Sequence, residues 1–263
     1  MTILDQIIAQ KHLELERCKR SVSTAVLEKS PMFSRELSSL SSFVEDPQKT
    51  GIIAEFKRKS PSKGTLNDRS KVYEVCSAYA QHGASGLSVL TDEAFFGGSL
   101  RDLQAVRSLE VPLLRKEFII DEYQILEAKA NGADAILLIA ACLSAKRVKE
   151  LARFAKSLSL EILLELHTET ELDHLCPEVT LVGINNRNLK NFEVDLEHSI
   201  RLAEKVGNHL KIAESGIRSP KDLLELKSTG FQGFLIGEAF MKQADPGVAF
   251  ADFIKDLNAA SCK

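Results

Sequence analysis

Short apolar runs alternate with longer amphipathic segments from residue 51 onward, and the alternation occurs eight times. Apolar runs of this length predict buried strands, and segments with apolar residues at every third or fourth position predict helices. The predicted strands are residues 51–57, 86–91, 112–118, 135–140, 161–167, 181–185, 210–215 and 233–237. The predicted helices are residues 69–82, 99–108, 122–131, 144–157, 169–175, 195–206, 219–229 and 246–257.

This order of elements predicts a fold class. Strands that alternate with helices imply parallel strands joined by right-handed crossovers, and eight such units favour a closed barrel over an open sheet. No linker rich in proline and glycine divides the chain. We therefore expect an α/β fold, a (β/α)8 TIM barrel, in a single domain that comprises residues 1–263.

The first 48 residues lack the strand pattern and precede the barrel, which we assign to residues 49–263. Residues 2–20 predict an amphipathic helix, because Thr2 and Asp5 match a capping box and an apolar stripe follows. The stripe consists of Ile3, Leu4, Ile7 and Ile8, and a second apolar patch consists of Leu37, Leu40, Phe43 and Val44. We expect an N-terminal helical extension that packs on the barrel.

The composition excludes several classes of protein. The chain is 44% hydrophobic and 27% charged, with a formal net charge of -3, which is typical of a soluble globular protein. No basic run with interleaved aromatics indicates a nucleic-acid partner, and no apolar run is long enough to span a membrane. The five cysteines are scattered and the N-terminus does not resemble a signal peptide, so we expect a cytoplasmic location.

Charged side chains stand where several predicted strands end, and in such barrels the active site lies at the carboxyl ends of the strands. Because alternate residues of a strand share a face, Lys116 should lie on the face of Leu114, and Glu165 on the face of Leu163. The polar residues at or just after these ends are Glu55, Lys57, Lys59, Ser60, Lys116, Glu165, Asn185 and Arg187. We expect them to meet at the mouth of the barrel, beside an aromatic wall of Phe96 and Phe118.

The turns after the last two strands predict a phosphate site. Ser215-Gly216 and Gly237-Glu238 each precede a helical segment. Glycine allows the backbone to come close to a ligand, and successive N–H groups can then hold an anion. Since barrels of this kind often bind phosphate after strands seven and eight, the pair of turns favours a phosphorylated small-molecule substrate.

Clustered lysine and glutamate side chains shift each other's proton affinities, so the residues predict acid–base chemistry on an anionic, partly flat substrate. No Cys/His or His/Asp cluster has metal-ligand spacing, and no G-x-G-x-x-G follows a strand, so we expect neither a metal nor a dinucleotide cofactor. The pattern alone does not separate a Schiff-base role of a lysine from an acid role.

Each candidate also has a plain structural interpretation. Glu165 could be a core carboxylate paired with a lysine, and Arg187 could cap a strand end. Phe96 and Phe118 could be core aromatics.

Three further side chains are not expected to act in catalysis. We expect His82 and His167 to be polar surface or loop residues, and Cys142 to pack as a small hydrophobe.

Five segments of the chain resemble the indole-3-glycerol phosphate synthase family. They are IAEFKRKSPS at 53–62, LTDE at 90–93 with FGGS at 96–99, RKEFI at 115–119, GINNRNL at 183–189 and ESGI at 214–217. The first, third and fourth are the most specific, whereas ESGI also occurs in other phosphate-binding barrels. The resemblance covers nearly the whole chain, including the N-terminal helical extension.

The resemblance implies a reaction and catalytic roles. The family closes the indole ring of 1-(2-carboxyphenylamino)-1-deoxyribulose 5-phosphate, with loss of carbon dioxide and water and without a cofactor. It implies that Lys116 protonates the carbonyl oxygen during closure and that Glu165 is its acid–base partner and stabilises positive charge on the nitrogen. Glu55 would assist dehydration and hold Lys116, and Lys57 would bridge a substrate phosphate or carboxylate.

The resemblance also implies binding residues. Asn185 would hold sugar hydroxyls, Lys59 and Ser60 would lie near the anionic groups, and Phe96 and Phe118 would pack the aromatic ring. The implied phosphate site is Arg187, Ser215, Gly216, Gly237 and Glu238. Some members carry serine in place of Glu238, and a carboxylate would repel phosphate, so we expect Glu238 to contribute only its backbone.

Two other functions remain open at this point. A phosphoribosylanthranilate isomerase would need a Cys/Asp acid–base pair, where this chain has Glu55 and Lys116. A non-catalytic phosphate-binding subunit would not need the set of lysines and glutamates that this chain retains. We further expect a monomer, and a loop at 58–66 that closes over the substrate.

Overall fold

The computed structural model describes residues 2–187 and 193–261 of the chain. Asn188 and Leu189, which belong to the fourth resembling segment, and Cys262 lie outside the described residues.

Eight parallel strands form a closed barrel, as the sequence predicted. They are β1 (Ile52–Phe56), β2 (Gly86–Leu90), β3 (Leu113–Lys116), β4 (Ala135–Ile139), β5 (Glu161–Leu166), β6 (Leu181–Asn185), β7 (Leu210–Glu214) and β8 (Gly233–Ile236). Strands that are consecutive in the chain pair with each other, and β8 closes the barrel against β1, with Phe234 beside Ile52. All the strand ends that carry candidate residues therefore face the same side.

The α-helices surround the barrel or belong to the extension. They are α1 (Ile3–Ser21), α2 (Thr24–Leu27), α3 (Leu40–Glu45), α4 (Val72–Gln81), α5 (Leu100–Ala105), α6 (Glu122–Ala130), α7 (Ala145–Ser157), α8 (Leu196–Lys205), α9 (Pro220–Ser228), α10 (Glu238–Met241) and α11 (Pro246–Ser261). Two 3-10 segments lie at Ala140–Cys142 and Glu169–His174.

The structure corrects the helix predicted at 169–175, which is the 3-10 segment Glu169–His174. Thr168 caps this segment, but it is only six residues long and has no buried residue, so no apolar stripe stabilises an α-helix there. Helix α10 and the two-residue strands Lys59–Ser60 and Gly64–Thr65 were not predicted. Elements this short leave no periodic pattern in the sequence.

The extension closes the amino-terminal end of the barrel with helix α3. Leu40 and Val44 of this helix join the inward-facing core, which includes Ile53, Leu114, Leu137, Leu163, Ile212 and Leu235. Gly86 and Gly233 leave room for them, because a Cβ at Gly86 would overlap Leu40 and one at Gly233 would lie 2.9 Å from Val44. Both glycines begin a strand, so the helix plugs the end opposite to the candidate residues.

Helix α1 lies against the other end of the barrel. Thr2 and Asp5 form the predicted capping box at its start. Leu15 packs with Leu27 and with Tyr123 and Leu126 of α6. The extension therefore packs on the barrel, as predicted, and reaches from the carboxyl ends of the strands to their amino ends. None of the helices among the described residues is long and apolar enough to cross a membrane.

Candidate active site

A cavity of about 650 Å³ lies at the carboxyl end of the barrel, which is a suitable volume for a small organic substrate. The strand ends contribute Glu55, Lys57, Lys116, Glu165, Asn185 and Glu214 to its lining. Apolar side chains of Ile3, Leu4 and Ile7 from helix α1 also line it. The cavity thus combines buried charges with an apolar wall.

Lys116 lies between two carboxylates. Its Nζ is 3.0 Å from Oε2 of Glu165 and 2.6 Å from Oε2 of Glu214. Burial alone would lower the pKa of Lys116, but the negative charges of Glu165 and Glu214 outweigh it and raise that pKa. The ammonium therefore keeps its proton at neutral pH until a more basic atom comes into contact with it.

Glu165 is buried, and each of its two carboxylate oxygens has a partner. Lys116 contacts Oε2, and the amide of Asn185 donates to Oε1 at 3.0 Å. Burial would raise the pKa of Glu165, but Lys116 and His167 outweigh it and hold the pKa well below its usual value. Glu165 is accordingly an ionised carboxylate with a fixed orientation.

Glu214 is a site residue that the sequence patterns did not identify. Burial and the neighbouring charge of Glu165 raise the pKa of Glu214 to about 7, although Lys116 acts in the opposite direction. Its Oε1 is buried and accepts no hydrogen bond from any described residue. Glu214 can therefore gain or lose a proton near neutral pH, unlike Glu165 beside it.

One signal in the sequence could have identified Glu214. It is the last residue of β7, and Gly183 of the neighbouring strand β6 leaves the space that its carboxylate occupies, because a Cβ at Gly183 would overlap Oε1 of Glu214. The motif ESGI was interpreted only as a phosphate turn. A glycine inside a strand often marks a close approach of another group.

Glu55 and Lys57 form a second charged pair at the end of β1, with Nζ of Lys57 2.6 Å from Oε1 of Glu55. Ser88 donates to the other oxygen of Glu55 at 3.4 Å. Gly237 packs directly on this carboxylate, since a Cβ there would lie 2.7 Å from Oε1 of Glu55. Glu55 and Lys57 are alternate residues, so they share a face of the strand, and Glu55 is only 3% exposed there.

The predicted anion site lies next to this pair, at the ends of β6, β7 and β8. Ser215 and Gly216 both have positive φ, 65° and 76°, so the chain turns sharply there after β7. Arg187 donates to Glu238 at 2.8 Å and to the hydroxyl of Ser62 at 3.1 Å. Burial would raise the pKa of Glu238, but the hydrogen bond from Arg187 outweighs it and lowers the pKa. The Glu238 side chain thus contacts the cation that was expected to bind phosphate.

Phe96 and Phe118 lie side by side in the cavity wall, with ring centroids 5.9 Å apart and planes tilted by 39°. Both line the cavity and neither is fully buried. The structure therefore brings the two rings of the predicted aromatic wall together in the lining of the cavity.

A buried lysine of helix α1 lies behind this wall. Nζ of Lys11 is 2.7 Å from Oδ2 of Asp92 and 3.1 Å from Oε1 of Glu117. Asp92 accepts hydrogen bonds from the backbone N–H groups of Phe95 and Phe96, and Glu117 accepts one from Phe118. The Lys11 ammonium thus stabilises Asp92 and Glu117, the two carboxylates that hold the backbone at Phe96 and Phe118.

All but one of the predicted site residues line the cavity. The exception is Lys59, whose ammonium donates to the carbonyl of Ala94 at 2.8 Å and points away from the cavity. Its neighbour Ser60 is buried and lines the cavity. Lys59 as a substrate ligand remains a prediction.

His167 lies in the loop after β5, as expected, but it is buried and is not a surface residue. His167 is 8% exposed, and its Nε2 lies 3.1 Å from Oε1 of Glu165. It follows β5 directly, where helix α8 and the segment Glu169–His174 cover it. His82 is exposed and Cys142 packs against the barrel core, as expected.

Comparisons with known proteins identify the family. The family model described as indole-3-glycerol phosphate synthase matches residues 4–253. The chain is 45% identical to the indole-3-glycerol phosphate synthase of Bacteroides thetaiotaomicron, over 97% of this chain and 98% of the relative. It is 44% identical to that of Polaromonas sp., over 95% of this chain and 97% of the relative.

The solved structures support the fold. The tryptophan synthase alpha subunit of Legionella pneumophila superposes with a TM-score of 0.62 at 12% identity, over 84% of this chain and 97% of that one. The family match and the charged cavity argue against both alternatives, a phosphoribosylanthranilate isomerase and a non-catalytic phosphate-binding subunit. The chain therefore belongs to the indole-3-glycerol phosphate synthase family, the carboxy-lyases that form indole-3-glycerol phosphate in tryptophan biosynthesis.

Proposed function

We propose that the chain converts 1-(2-carboxyphenylamino)-1-deoxyribulose 5-phosphate into indole-3-glycerol phosphate in this cavity, with Lys116 as the general acid. The position of Lys116 between Glu165 and Glu214 is the observation that carries the proposal. In the first step the ring carbon that bears the carboxylate attacks the sugar ketone. Negative charge then develops on the carbonyl oxygen, and the proton of Lys116 moves to it.

The pKa of Lys116 suits this step. An ammonium whose pKa is raised by two carboxylates donates only to a strongly basic acceptor, and an alkoxide is such an acceptor. Glu214, with a pKa of about 7, is 2.6 Å from Nζ and can return a proton to it. Lys116 and Glu214 would act together in this way as a donor and its local proton source.

Glu165 stabilises the cationic intermediate in this scheme. Ring closure places a positive charge on the nitrogen and the ring, and the ionised Glu165 offsets that charge. The C–C bond to the carboxylate then breaks, and its electron pair moves into the cationic ring as carbon dioxide leaves. Because the substrate itself accepts these electrons, the step needs no cofactor.

Dehydration completes the reaction. The hydroxyl leaves as water after it takes a proton, and the CH2 group next to nitrogen, which was C1 of the sugar, loses a proton to give the aromatic indole. Glu55 assists this step from the end of β1, since its carboxylate is paired with Lys57 and close to the same cavity. Asn185 holds the sugar hydroxyls and also donates to Glu165, so it links substrate orientation to the acid–base pair.

The substrate's phosphate binds at Arg187 and at the turns of Ser215-Gly216 and Gly237-Glu238 in this proposal. Positive φ at Ser215 and Gly216 turns the backbone in the way that anion-binding loops require. Phosphate displaces the Glu238 carboxylate from Arg187, and Glu238 then contributes its backbone N–H. Ser60 lies on the loop beside the cavity and completes the anion contacts, and Lys59 joins it once its ammonium leaves the carbonyl of Ala94. Phe96 and Phe118 pack the aryl ring.

We also propose that the chain acts as a single-domain monomer in the cytoplasm, with residues 1–48 as an extension of the barrel domain. The extension supports this organisation, since Leu40 is fully buried in the barrel core and Ser41 donates to Glu161 at 2.6 Å. Light scattering on the purified chain tests the oligomeric state. A mass of twice 29.0 kDa would contradict the monomer.

Indole fluorescence tests the proposed reaction. The chain contains no tryptophan, so newly formed indole is detected against a weak protein background. We expect a steady rise on addition of the substrate, which Lys116→Ala abolishes. Lys146→Ala is the matched control, because that side chain is 88% exposed on α7. Binding of the substrate to the unaltered chain without any rise would contradict the proposed reaction.

A further inference from the structure

His167 is a buried imidazole that none of the steps above uses. Its backbone is fixed on two sides, since its N–H donates to Oε2 of Glu171 at 2.5 Å and its carbonyl lies 2.9 Å from Nε2 of His198 on α8. The ring lies behind Glu165 and does not line the cavity. It therefore cannot contact the substrate directly.

The ring contacts the side of Glu165 opposite to Lys116. Nε2 of His167 is 3.1 Å from Oε1, the oxygen to which Asn185 donates, whereas Lys116 contacts Oε2. The ring N–H does not point straight at Oε1, so the contact is mainly electrostatic. The two oxygens of Glu165 thus each face a group that can carry positive charge.

The charges at the strand ends are unequal without His167. Among the described residues around Lys116, three buried carboxylates, Glu55, Glu165 and Glu214, face two ammonium groups, Lys57 and Lys116. An unbalanced buried charge is costly, so one further proton is favoured in this cluster. The proton can lie on Glu214 or on the imidazole of His167.

The surroundings of the imidazole favour its protonated form. Carboxylates of Glu165 and Glu171 lie 3.1 and 3.9 Å from its two nitrogens, and Glu214 at the end of β7 adds a third negative charge. Burial would lower the pKa of His167, but these carboxylates outweigh it and raise that pKa.

Among the described residues, the other neighbours place no positive charge in contact with the His167 ring. Lys116 is on the far side of Glu165, and Cys142, near the same carboxylates, has a thiol whose pKa is raised by burial, so it stays neutral. The ring of His198 contacts the backbone carbonyl of His167 and not the His167 imidazole.

We infer that His167 is a positioning residue for the reaction: as an imidazolium it fixes Glu165 and holds it ionised from behind, while Lys116 holds it from the cavity. The inference rests on the proposed role of Glu165. Removal of this positive charge raises the apparent pKa of the carboxylates around Lys116, which titrate as a set because they share one ammonium.

The test is the pH profile of His167→Gln, with His82→Gln as the control, since His82 is exposed. We expect a fall in kcat of about tenfold with KM changed by no more than about twofold, because a charged contact to Glu165 is lost and no substrate contact is. We also expect the acidic limb of kcat/KM to move to higher pH by about one unit. A profile identical to that of His82→Gln would overturn the inference.

A second measurement does not depend on the folding of that variant. The ring signal of His167, assigned through its backbone, is titrated by NMR in the unaltered chain and in Glu165→Gln. We expect a pKa above that of an exposed histidine, and a lower pKa in Glu165→Gln. A ring that is neutral at neutral pH in the unaltered chain would overturn the inference.

The activity of Glu165→Gln separates this inference from the proposed function. Full activity of that variant would overturn the role of Glu165 itself. Loss of activity in Glu165→Gln, together with an unchanged pH profile in His167→Gln, would overturn only the role of His167.

Discussion

The guanidinium of Arg187 donates to the carboxylate of Glu238 at 2.8 Å, at the place where the substrate phosphate is proposed to bind. The two residues come from the ends of β6 and β8, and Ser62 of the loop after β1 joins them through its hydroxyl. In the free protein the Glu238 carboxylate is therefore bound to the guanidinium that the substrate phosphate needs. Phosphate binding is then an exchange of one anion for another.

Replacement of Glu238 by glutamine should leave the affinity for substrate intact or improve it. The Glu238 side chain is 33% exposed, so its ion pair is worth at most about 1 kcal/mol. That free energy corresponds to a decrease in KM of up to about fivefold. Inhibition by inorganic phosphate at constant ionic strength measures the effect without chemistry. A large loss of phosphate affinity would instead mean that the carboxylate itself helps to hold the ligand.

Replacement of Lys11 by methionine should destabilise the fold by about 3 kcal/mol, because two buried carboxylates, Asp92 and Glu117, lose their cation. KM should rise as well, since these carboxylates hold the backbone of Phe96 and Phe118. Urea unfolding and steady-state kinetics measure the two effects.

Lys19→Met is the matched control on the same helix. Lys19 is 41% exposed and pairs with Asp121 at 2.9 Å, so its loss should cost less than about 1 kcal/mol. Equal losses of stability in the two variants would show that the buried network contributes nothing beyond an ordinary surface pair.

The pattern of the sequence predicted the barrel and the position of Lys116 and Glu165 at its mouth for a physical reason. Strand alternation alone places Lys116 and Glu165 on inward faces, and parallel strands bring their carboxyl ends together. Glu214 obeys the same rule, yet it lies in the ESGI segment, which was predicted only as a phosphate-binding turn.

The network behind the site could not be predicted in this way. His167 is buried because helix α8 and the 3-10 segment pack against it. These contacts leave no periodic pattern in the sequence near residue 167. Lys11 pairs with residues that are far away in the chain, Asp92 and Glu117. Such contacts depend on how the extension packs on the barrel, which hydrophobic periodicity does not specify.

The pH profile should depend on Glu214. Its pKa is raised from 4.5 to about 7, so the folded chain binds this proton more tightly than the unfolded chain does. The stability that Glu214 contributes is therefore present at low pH and is lost as the pH rises from 4.5 to about 7. In the proposed reaction the protonated form returns a proton to Lys116, so activity should decrease over the upper part of that range.

Glu214→Gln should remove the basic limb of kcat/KM near pH 7 and lower kcat. Its free energy of unfolding should also change less with pH than that of the unaltered chain over the same range. Glu225→Gln, on the exposed face of α9, controls for the loss of one negative charge. If Glu214→Gln retains this limb of the kcat/KM profile, another group of the cluster is responsible for it.

The loop at 58–66 should close when substrate binds. It is anchored at one end, where Arg58 donates to Asp102 at 2.9 Å, and its tip reaches the anion site through Ser62 and Arg187. Lys63 is exposed next to Gly64, whose φ is positive, so trypsin can reach the bond between them. Bound phosphate should hold Arg187, and with it Ser62, and slow this cleavage.

The experiment uses Lys116→Ala, which should bind the substrate without turning it over. Mass spectrometry of tryptic fragments then gives the rate of cleavage after Lys63 with and without substrate. Ser62→Ala in the same background should weaken the protection, because the hydroxyl that joins the loop to Arg187 at 3.1 Å is lost. Equal cleavage rates with and without substrate, in a protein that demonstrably binds it, would mean that the loop stays open during binding.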